Sequence, residues 1–493
     1  MKRVIRYEDV ARFDLVTDVV VAGYGGAGGC AALEARRAGS DVILLERSAG
    51  PGGSTMMSAC EMFLGGGTRL QRDLGIEEAP ENFHAYLKEC FGPNVDEARL
   101  RLFVDSAVEH FDWMEALGVK YKRGFFPGRD VVAMTGDSLQ YTGNESAYPF
   151  TSVAKTVPHG HLPADANHEG GLRVMAALTA RVEEAGVQVR PNTRAQQLIQ
   201  DKSGRIRGVV ARSFGEDLII RARQGVVLTT GGFIMNEAMT RKHIPSLDAI
   251  ATRHGNPGDM GDGILMGAAA GGHPINMGEA FVGIAHYPPP VLTYGIFVNA
   301  QGQRFINEDI YLARLGHYAA VQPEDKIYLF IDNKHFERPA YLKTEIVAVG
   351  ETVEEVEREA GLPQGSLEHT VDYYNRHAAQ GRDPLFQKGA DWLRPLEVAP
   401  FALVGFSLKE IRPPVFTLGG LEALPTGEVL DPDGEPIPGL YAAGRTVAGI
   451  PRLRIRDVGC GCDLVRTRCR SAGRQAAPPA RLGGGQLGGT ITF

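Results

Sequence analysis

One run near the start of the chain constrains its fold more than any other. Asp18-Val19-Val20-Val21-Ala22 is short, apolar and β-branched, the pattern of a buried strand. Gly23-Tyr24-Gly25-Gly26-Ala27-Gly28 follows at once. The Ala-, Leu- and Glu-rich stretch from Cys30 to Ala38, stopped by Gly39, predicts a helix. Val42-Ile43-Leu44-Leu45 is a second buried strand, and it ends in Glu46, 18 residues past the last glycine. Strand, GxGxxG, helix, strand and acid in register predict a βαβ unit that binds a dinucleotide. Gly23 permits the tight turn, Gly25 lets backbone approach a pyrophosphate, and Gly28 lets helix pack on strand. Gly26 and Ala27 lie in the glycine-rich stretch before the helix, whose N-terminus faces the phosphates, and Glu46, with Arg47 beside it, accepts from ribose hydroxyls. A plain glycine-rich βα turn leaves Glu46 without a reason.

The next cluster separates flavin from nicotinamide. Gly50-Pro51-Gly52-Gly53-Ser54-Thr55, then Ser58, then Gly65-Gly66-Gly67-Thr68 form an extended glycine-rich segment in place of another regular βα repeat. Amides and hydroxyls at Gly52, Gly53, Ser54, Ser58, Gly66 and Gly67 can face the phosphates and ring of a long, buried cofactor, which predicts FAD. Glycine makes up 62 of 493 residues, about 13% against a usual share of about 7%, and it recurs in such clusters. A helix is expected over 170–184 and a strand over 187–189. A meander is expected over 197–199, 206–211 and 218–222, with Ala195 at the cofactor. Strand 225–230 runs into Gly231 and Gly232, with Thr230 beside them. Gly261-Asp262-Gly263 opens an alanine-rich helix, and a last strand ends at Gly444-Arg445. The expected fold is α/β: a Rossmann-like FAD-binding domain, a doubly wound parallel sheet plus a small β-meander, with an inserted α+β catalytic domain. The expected division is 1–272, an insert over 273–402, and a return to the first domain over 403–493.

Composition narrows the setting. Net charge is 52 − 59 = −7, with pI near 6.0, which argues against nucleic acid or an anionic membrane surface as partner. No apolar run reaches the roughly 18 residues of a membrane helix, and MKRVIRYEDVARF lacks the apolar stretch of a signal peptide. Six cysteines in this length do not form a disulfide framework, so the expectation is the cytoplasm, with no metal site.

The insert opens apolar and aromatic: Phe281, Val282, Ile284, Tyr287, three prolines, Val291, Leu292, Tyr294. That stripe reads equally as domain core or as substrate wall. Thr352 leads a helix over 353–360 with Glu355 completing a capping box, and Ser366 leads another over 367–380.

Taken in order along nearly the whole chain, these motifs resemble the flavoproteins of the fumarate reductase/succinate dehydrogenase type, specifically their 3-ketosteroid dehydrogenase branch. The carrying residues include the first fingerprint with Glu46, Thr229-Thr230-Gly231-Gly232, Asp259-Met260-Gly261-Asp262-Gly263, Asn299-Ala300-Gln301-Gly302-Gln303-Arg304-Phe305 and Thr417-Leu418-Gly419-Gly420. Leu64-Gly65-Gly66-Gly67-Thr68, the Glu308-Asp309-Ile310-Tyr311 run and Phe416-Thr417-Leu418-Gly419-Gly420-Leu421 resemble the Δ4-(5α) subgroup. The resemblance implies non-covalent FAD, since no histidine falls between Ser48 and Thr68. It also implies α,β-dehydrogenation of a hydrophobic ketone: a base takes the proton next to the carbonyl, a donor stabilises the enolate, and hydride leaves for flavin N5. The electron acceptor is not indicated. The dicarboxylate branch carries a histidine just before its Thr-x-Gly-Gly motif and needs a cluster of Arg and His to hold two carboxylates. Here that position is Phe416, and Arg304, Arg314 and Arg338 read by default as surface salt bridges.

Tyr311 matches the insert tyrosine of the steroid branch and is the expected catalytic group. A phenol can donate to a ketone, or act as acid or base if its pKa of about 10 is lowered. The resemblance places a second Tyr and a Ser or Gly after the last glycine motif, and there the sequence departs. From Arg452 to Arg470 it holds six arginines and Cys460, Cys462 and Cys469, with neither zinc spacing nor interleaved aromatics. The break predicts a segment read out of the ancestral frame from about Arg452. Dropping one base of that codon allows Ala-Cys-Gly-Tyr-Ala-Thr-Ser-Gly to follow, and the coding DNA decides between this and a divergent tail. A frame-shifted tail implies impaired activity, at the limit a flavin-binding pseudoenzyme.

Overall fold

The computed structural model describes residues 3–449 apart from 94, 166, 249 and 250. The segment from Arg452 onward, and with it the frame question, lies outside the described residues.

A nine-stranded sheet organises the molecule, in the order Val4–Arg6, Thr193–Gln200, Ile206–Ser213, Glu216–Leu228, Leu15–Ala22, Val42–Leu45, Gln188–Arg190, with Pro436–Ala442 also on Glu216–Leu228 and Glu428–Leu430 on that. Leu15–Ala22 pairs parallel with both neighbours, and Val42–Leu45 parallel with Gln188–Arg190. Alternation along these strands splits their residues between two cores. Val19, Val21 and Leu44 join the helix Gly26–Arg37, while Val20, Ala22, Ile43 and Leu45 join the meander. Both faces are covered, which is why the runs are apolar throughout.

Two expected strands, 218–222 and 225–230, are one, Glu216–Leu228, which ends two residues short of Thr230. Its first part pairs antiparallel with Ile206–Ser213 and its last part parallel with Pro436–Ala442, while along its other edge the pairing with Leu15–Ala22 shifts register between Ala222 and Gly225.

The insert holds an antiparallel sheet, Ile296–Asn299, Ile327–Asp332, Phe401–Gly405 and Ile346–Gly350, packed by the helices Val353–Ala360 and Ser366–Ala378. Phe401–Gly405 runs across position 402, so the sheet continues beyond it. The Thr352 capping box forms as expected. Ser366, by contrast, is the first helical residue; the cap position is Gly365, at φ +78°, where an L side chain would be strained. The segment between the glycine clusters and residue 170, largely passed over by the patterns, contributes the helices Arg69–Asp73, Pro80–Phe91 and Glu97–Leu117 and a small sheet of two-residue strands. These pack in the same core as Tyr311. Among the described residues, no helix is long and apolar enough to cross a membrane.

Candidate active site

A cleft opens where the parallel strands end, beside the N-terminus of Gly26–Arg37. That helix has no side-chain cap from Gly25, which holds the cap position; the Gly26 N–H donates to the Thr55 hydroxyl at 3.1 Å, and the next N–H groups are left for whatever fills the cleft. A Cβ at Gly25 would stand 3.7 Å from the Gly52 carbonyl oxygen, across the gap between the helix and the 52–55 loop. Gly23 and Gly28 serve packing instead. A Cβ on Gly23 would lie 2.5 Å from the Thr229 carbonyl oxygen, and one on Gly28 only 1.7 Å from that of Gly23.

Glu46 is buried at the end of its strand. One carboxylate oxygen accepts from the Tyr24 N–H at 2.8 Å and the other from the Ser48 N–H at 2.7 Å. These bonds fix its direction and leave lone pairs on both oxygens for hydroxyl donors.

Of the expected cofactor residues, Gly23, Gly25, Gly26, Ala27, Glu46, Arg47, Gly53, Ser54, Ser58, Ala195, Thr230, Gly231, Asp262 and Gly444 line the cleft. Gly28, Gly52, Gly66, Gly67 and Gly232 lie outside its lining. The Gly52 N–H donates to Tyr24, that of Gly66 to Glu78 and that of Gly67 to Gln71. Gly232 packs against the Thr417 hydroxyl. Asp262 is bidentate with Arg194, at 2.9 and 2.8 Å, with Arg3 at 3.1 Å.

Pattern reasoning passed over Thr55, Arg194, His254, Asn256 and Arg445, all in the lining. Arg445 carries the most information, and it stood in a motif already singled out. Its Nη2 donates to Asp259, which also takes the Ser54 hydroxyl at 2.7 Å. Its Nη1 is buried with no hydrogen-bond partner among the described residues. A buried, unpartnered guanidinium nitrogen in a glycine-lined cleft suits an oxygen-rich cofactor. Burial, and then the Arg445 cation, push the His254 imidazole below its ordinary range, so it is neutral at pH 7.

From this end of the cleft a row of rings leads to Tyr311. The Arg445 guanidinium sits 5.7 Å over Phe416. Phe416 stacks on Phe281, centroids 4.5 Å apart and 10° between planes. Phe281 meets Tyr311 edge-on at 6.5 Å, and Phe63 closes the other side at 6.1 Å. Tyr311 holds the N-cap position of the helix Leu312–Ala319 and is 8% exposed.

The arginines of the insert do not form a carboxylate receptor. The Arg304 side chain is 4% exposed and Arg314 is buried, which corrects the expectation of surface salt bridging. Arg304 is bidentate with Glu308 and pairs with Asp383 at 2.7 Å, while Arg314 donates to the Tyr148 carbonyl. Arg338 is exposed.

Comparison with known proteins agrees with this geometry. A family model described as FAD binding domain matches residues 18–453. The NADH:fumarate oxidoreductase of Klebsiella pneumoniae (strain 342) is 27% identical over 448 residues; the match takes in 88% of this chain but 44% of that protein, so the chain spans less than half of it. The 3-oxo-5-alpha-steroid 4-dehydrogenase of Comamonas testosteroni is 26% identical over 500 residues, covering 88% of this chain and 94% of its own. The crystal structure of 3-ketosteroid-Δ4-(5α)-dehydrogenase from Rhodococcus jostii RHA1, in complex with 4-androstene-3,17-dione, is 36% identical with a TM-score of 0.90 over 97% of this chain and 100% of that one. The chain therefore belongs to the FAD binding domain family and is an FAD-dependent oxidoreductase of its fumarate reductase and ketosteroid dehydrogenase group.

Proposed function

We propose that the chain dehydrogenates a 3-ketosteroid-like hydrophobic ketone between the α- and β-carbons of its carbonyl. One observation carries this reading. The wall between the cofactor cleft and Tyr311 is Phe416 stacked on Phe281, where a dicarboxylate would require a cluster of cations; Arg304 and Arg314 are committed elsewhere, and the guanidinium beside the wall, Arg445, belongs to the lining of the cofactor cleft. Flat aromatic faces suit a flat, apolar ring system.

Bound FAD supplies the hydride acceptor. The chain does the rest. The Gly26–Arg37 helix N-terminus would hold the pyrophosphate in the middle of the dinucleotide and Glu46 a ribose beside it, and Arg445 Nη1 offers a donor at the end next to Phe416. Phe281 and Phe416 orient the ketone and exclude water. Tyr311 Oη holds or moves the proton on the carbonyl side, because its ring closes the far end of that wall. The other proton-handling groups implied by the resemblance fall after Pro451.

Incubation with a 5α-reduced 3-ketosteroid and an artificial electron acceptor tests the reading. Mass spectrometry should show loss of H2 and formation of a conjugated enone. An unchanged steroid, with succinate oxidised instead, would reject it.

A further inference from the structure

The mechanism leaves unused a buried cluster of charge behind Tyr311. Glu145 is 2% exposed, and its carboxylate is wrapped by the chain just before it. It accepts from the N–H groups of Thr142 at 2.9 Å, Gly143 at 2.9 Å and Asn144 at 3.1 Å, and from the Thr142 hydroxyl at 2.8 Å. A carboxylate with this many donors fixes the loop around it.

The loop bears directly on Tyr311. As N-cap of its helix, Tyr311 has a backbone N–H that the helix does not use, and it donates to Asn144 Oδ1 at 2.9 Å. Gly143, at φ +120°, lies so close that a Cβ there would be 3.2 Å from Tyr311 Cα and 2.8 Å from Tyr287 Oη. From the other side Arg129 donates to the carbonyls of Glu308, Asp309 and Ile310. The segment 129–145 thus grips 308–311 at both ends.

The charge on Glu145 is balanced by His159, whose Nδ1 is 3.5 Å from it and whose Nε2 is 2.8 Å from Glu78; all three side chains are buried. Burial alone would push the imidazolium down, but the two carboxylates outweigh it and raise His159 to about 9. The rings of Phe83 and Tyr86 cover His159 at 4.9 and 4.6 Å.

We infer that Glu145 and Asn144 are positioning residues for Tyr311, holding its backbone in register so that its phenol meets the ketone. This rests on the proposed role of Tyr311. A register error on the order of 1 Å costs as much as a hundredfold in rate.

The test is a double-mutant cycle on the FAD-loaded chain. Glu145→Gln, Asn144→Ala and Tyr311→Phe are made singly, and the first two are each combined with the third. Two quantities are read: the dissociation constant of 4-androstene-3,17-dione, from its perturbation of flavin absorbance, and the anaerobic bleaching rate with a 5α-reduced 3-ketosteroid. Folding is checked by FAD content and melting temperature. Glu145→Gln and Asn144→Ala should slow bleaching roughly tenfold or more with FAD content kept, and should add little once Tyr311 is Phe. If either slows the Tyr311→Phe protein as much as the wild type, or if Asn144→Ala changes neither quantity, the positioning role is wrong while the function stands. Should Tyr311→Phe itself leave both quantities unchanged, or the wild type neither bind nor be bleached, the reading beneath it fails. Where Glu145→Gln does not fold, Asn144→Ala alone decides, since it removes one acceptor and no buried charge.

Discussion

The cofactor cleft and the support behind Tyr311 are built by opposite means. The cleft is built largely around backbone, with glycines, amides and a helix end drawn from contiguous motifs, and a few charged side chains such as Glu46, Asp262 and Arg445 at its walls. The support is made of buried charge. Glu78, Glu145 and His159 form one cluster, and Arg304, Glu308, Asp383 and Lys388 another, with partners up to 80 or so positions apart. A ligand-binding surface of amides needs no reorganisation to receive phosphates, whereas a proton-handling phenol must be held still in an apolar pocket, and charge clusters are rigid only when every member is satisfied.

The contrast can be broken first at the cleft. Gly28→Val places atoms where even a Cβ would stand 1.7 Å from the Gly23 carbonyl oxygen, so the variant should purify without FAD or not fold; full yellow colour would show that the helix does not seat as described. The support should respond in stability. His159→Ala leaves two buried carboxylates facing each other, and a urea titration should show a loss of about 3–5 kcal/mol. The same cluster sets a pH dependence. His159 is raised to about 9 from 6.5, so its stabilisation is complete below pH 6.5 and is lost as pH rises through about 9. Glu78 is lowered to about 2 from 4.5, since the His159 charge and its hydrogen bonds overcome burial; its contribution is present above pH 4.5 and fades as pH falls towards 2. Melting temperatures from pH 6.5 to 10 should decline in the wild type and decline less in His159→Gln.

These two regions also divide what could be read from residues alone. The βαβ unit, Glu46 and the Thr352 cap are local patterns with a physical meaning at fixed spacing, and they fold as read. Ser366 was read one residue out because the loop before it turns through a left-handed glycine. The double role of Glu216–Leu228 depends on which strands arrive beside it. Arg445 stands within a recognised motif, but only its burial beside Asp259 shows a nitrogen with no partner among the described residues. Arg304 and Arg314 look like surface cations in any window; only the assembled fold buries them. Asn144 and Glu145 sit in a stretch without periodicity, and their relation to Tyr311, 167 positions from Asn144, exists only in three dimensions.

Smaller effects sharpen the comparison at the site itself. Tyr311→Phe should lower turnover a hundredfold or more, about 2.7–4 kcal/mol of lost transition-state stabilisation, with FAD content unchanged; near-normal turnover would remove Tyr311 from the site. Phe416→Ala breaks the stack on Phe281 and should weaken ketosteroid binding by about 0.5–1.5 kcal/mol, read as the dissociation constant from flavin absorbance. Unaltered affinity would show that the substrate does not use this wall.

The central claim is that the aromatic wall, and not a carboxylate receptor, delivers substrate to the flavin. Anaerobic mixing of the FAD-loaded chain with a 5α-reduced 3-ketosteroid, and separately with succinate, tests it most directly. The steroid should bleach the flavin absorbance and succinate should not. Bleaching by succinate would contradict the substrate class, and bleaching by neither would make this chain a flavin binder without the proposed activity.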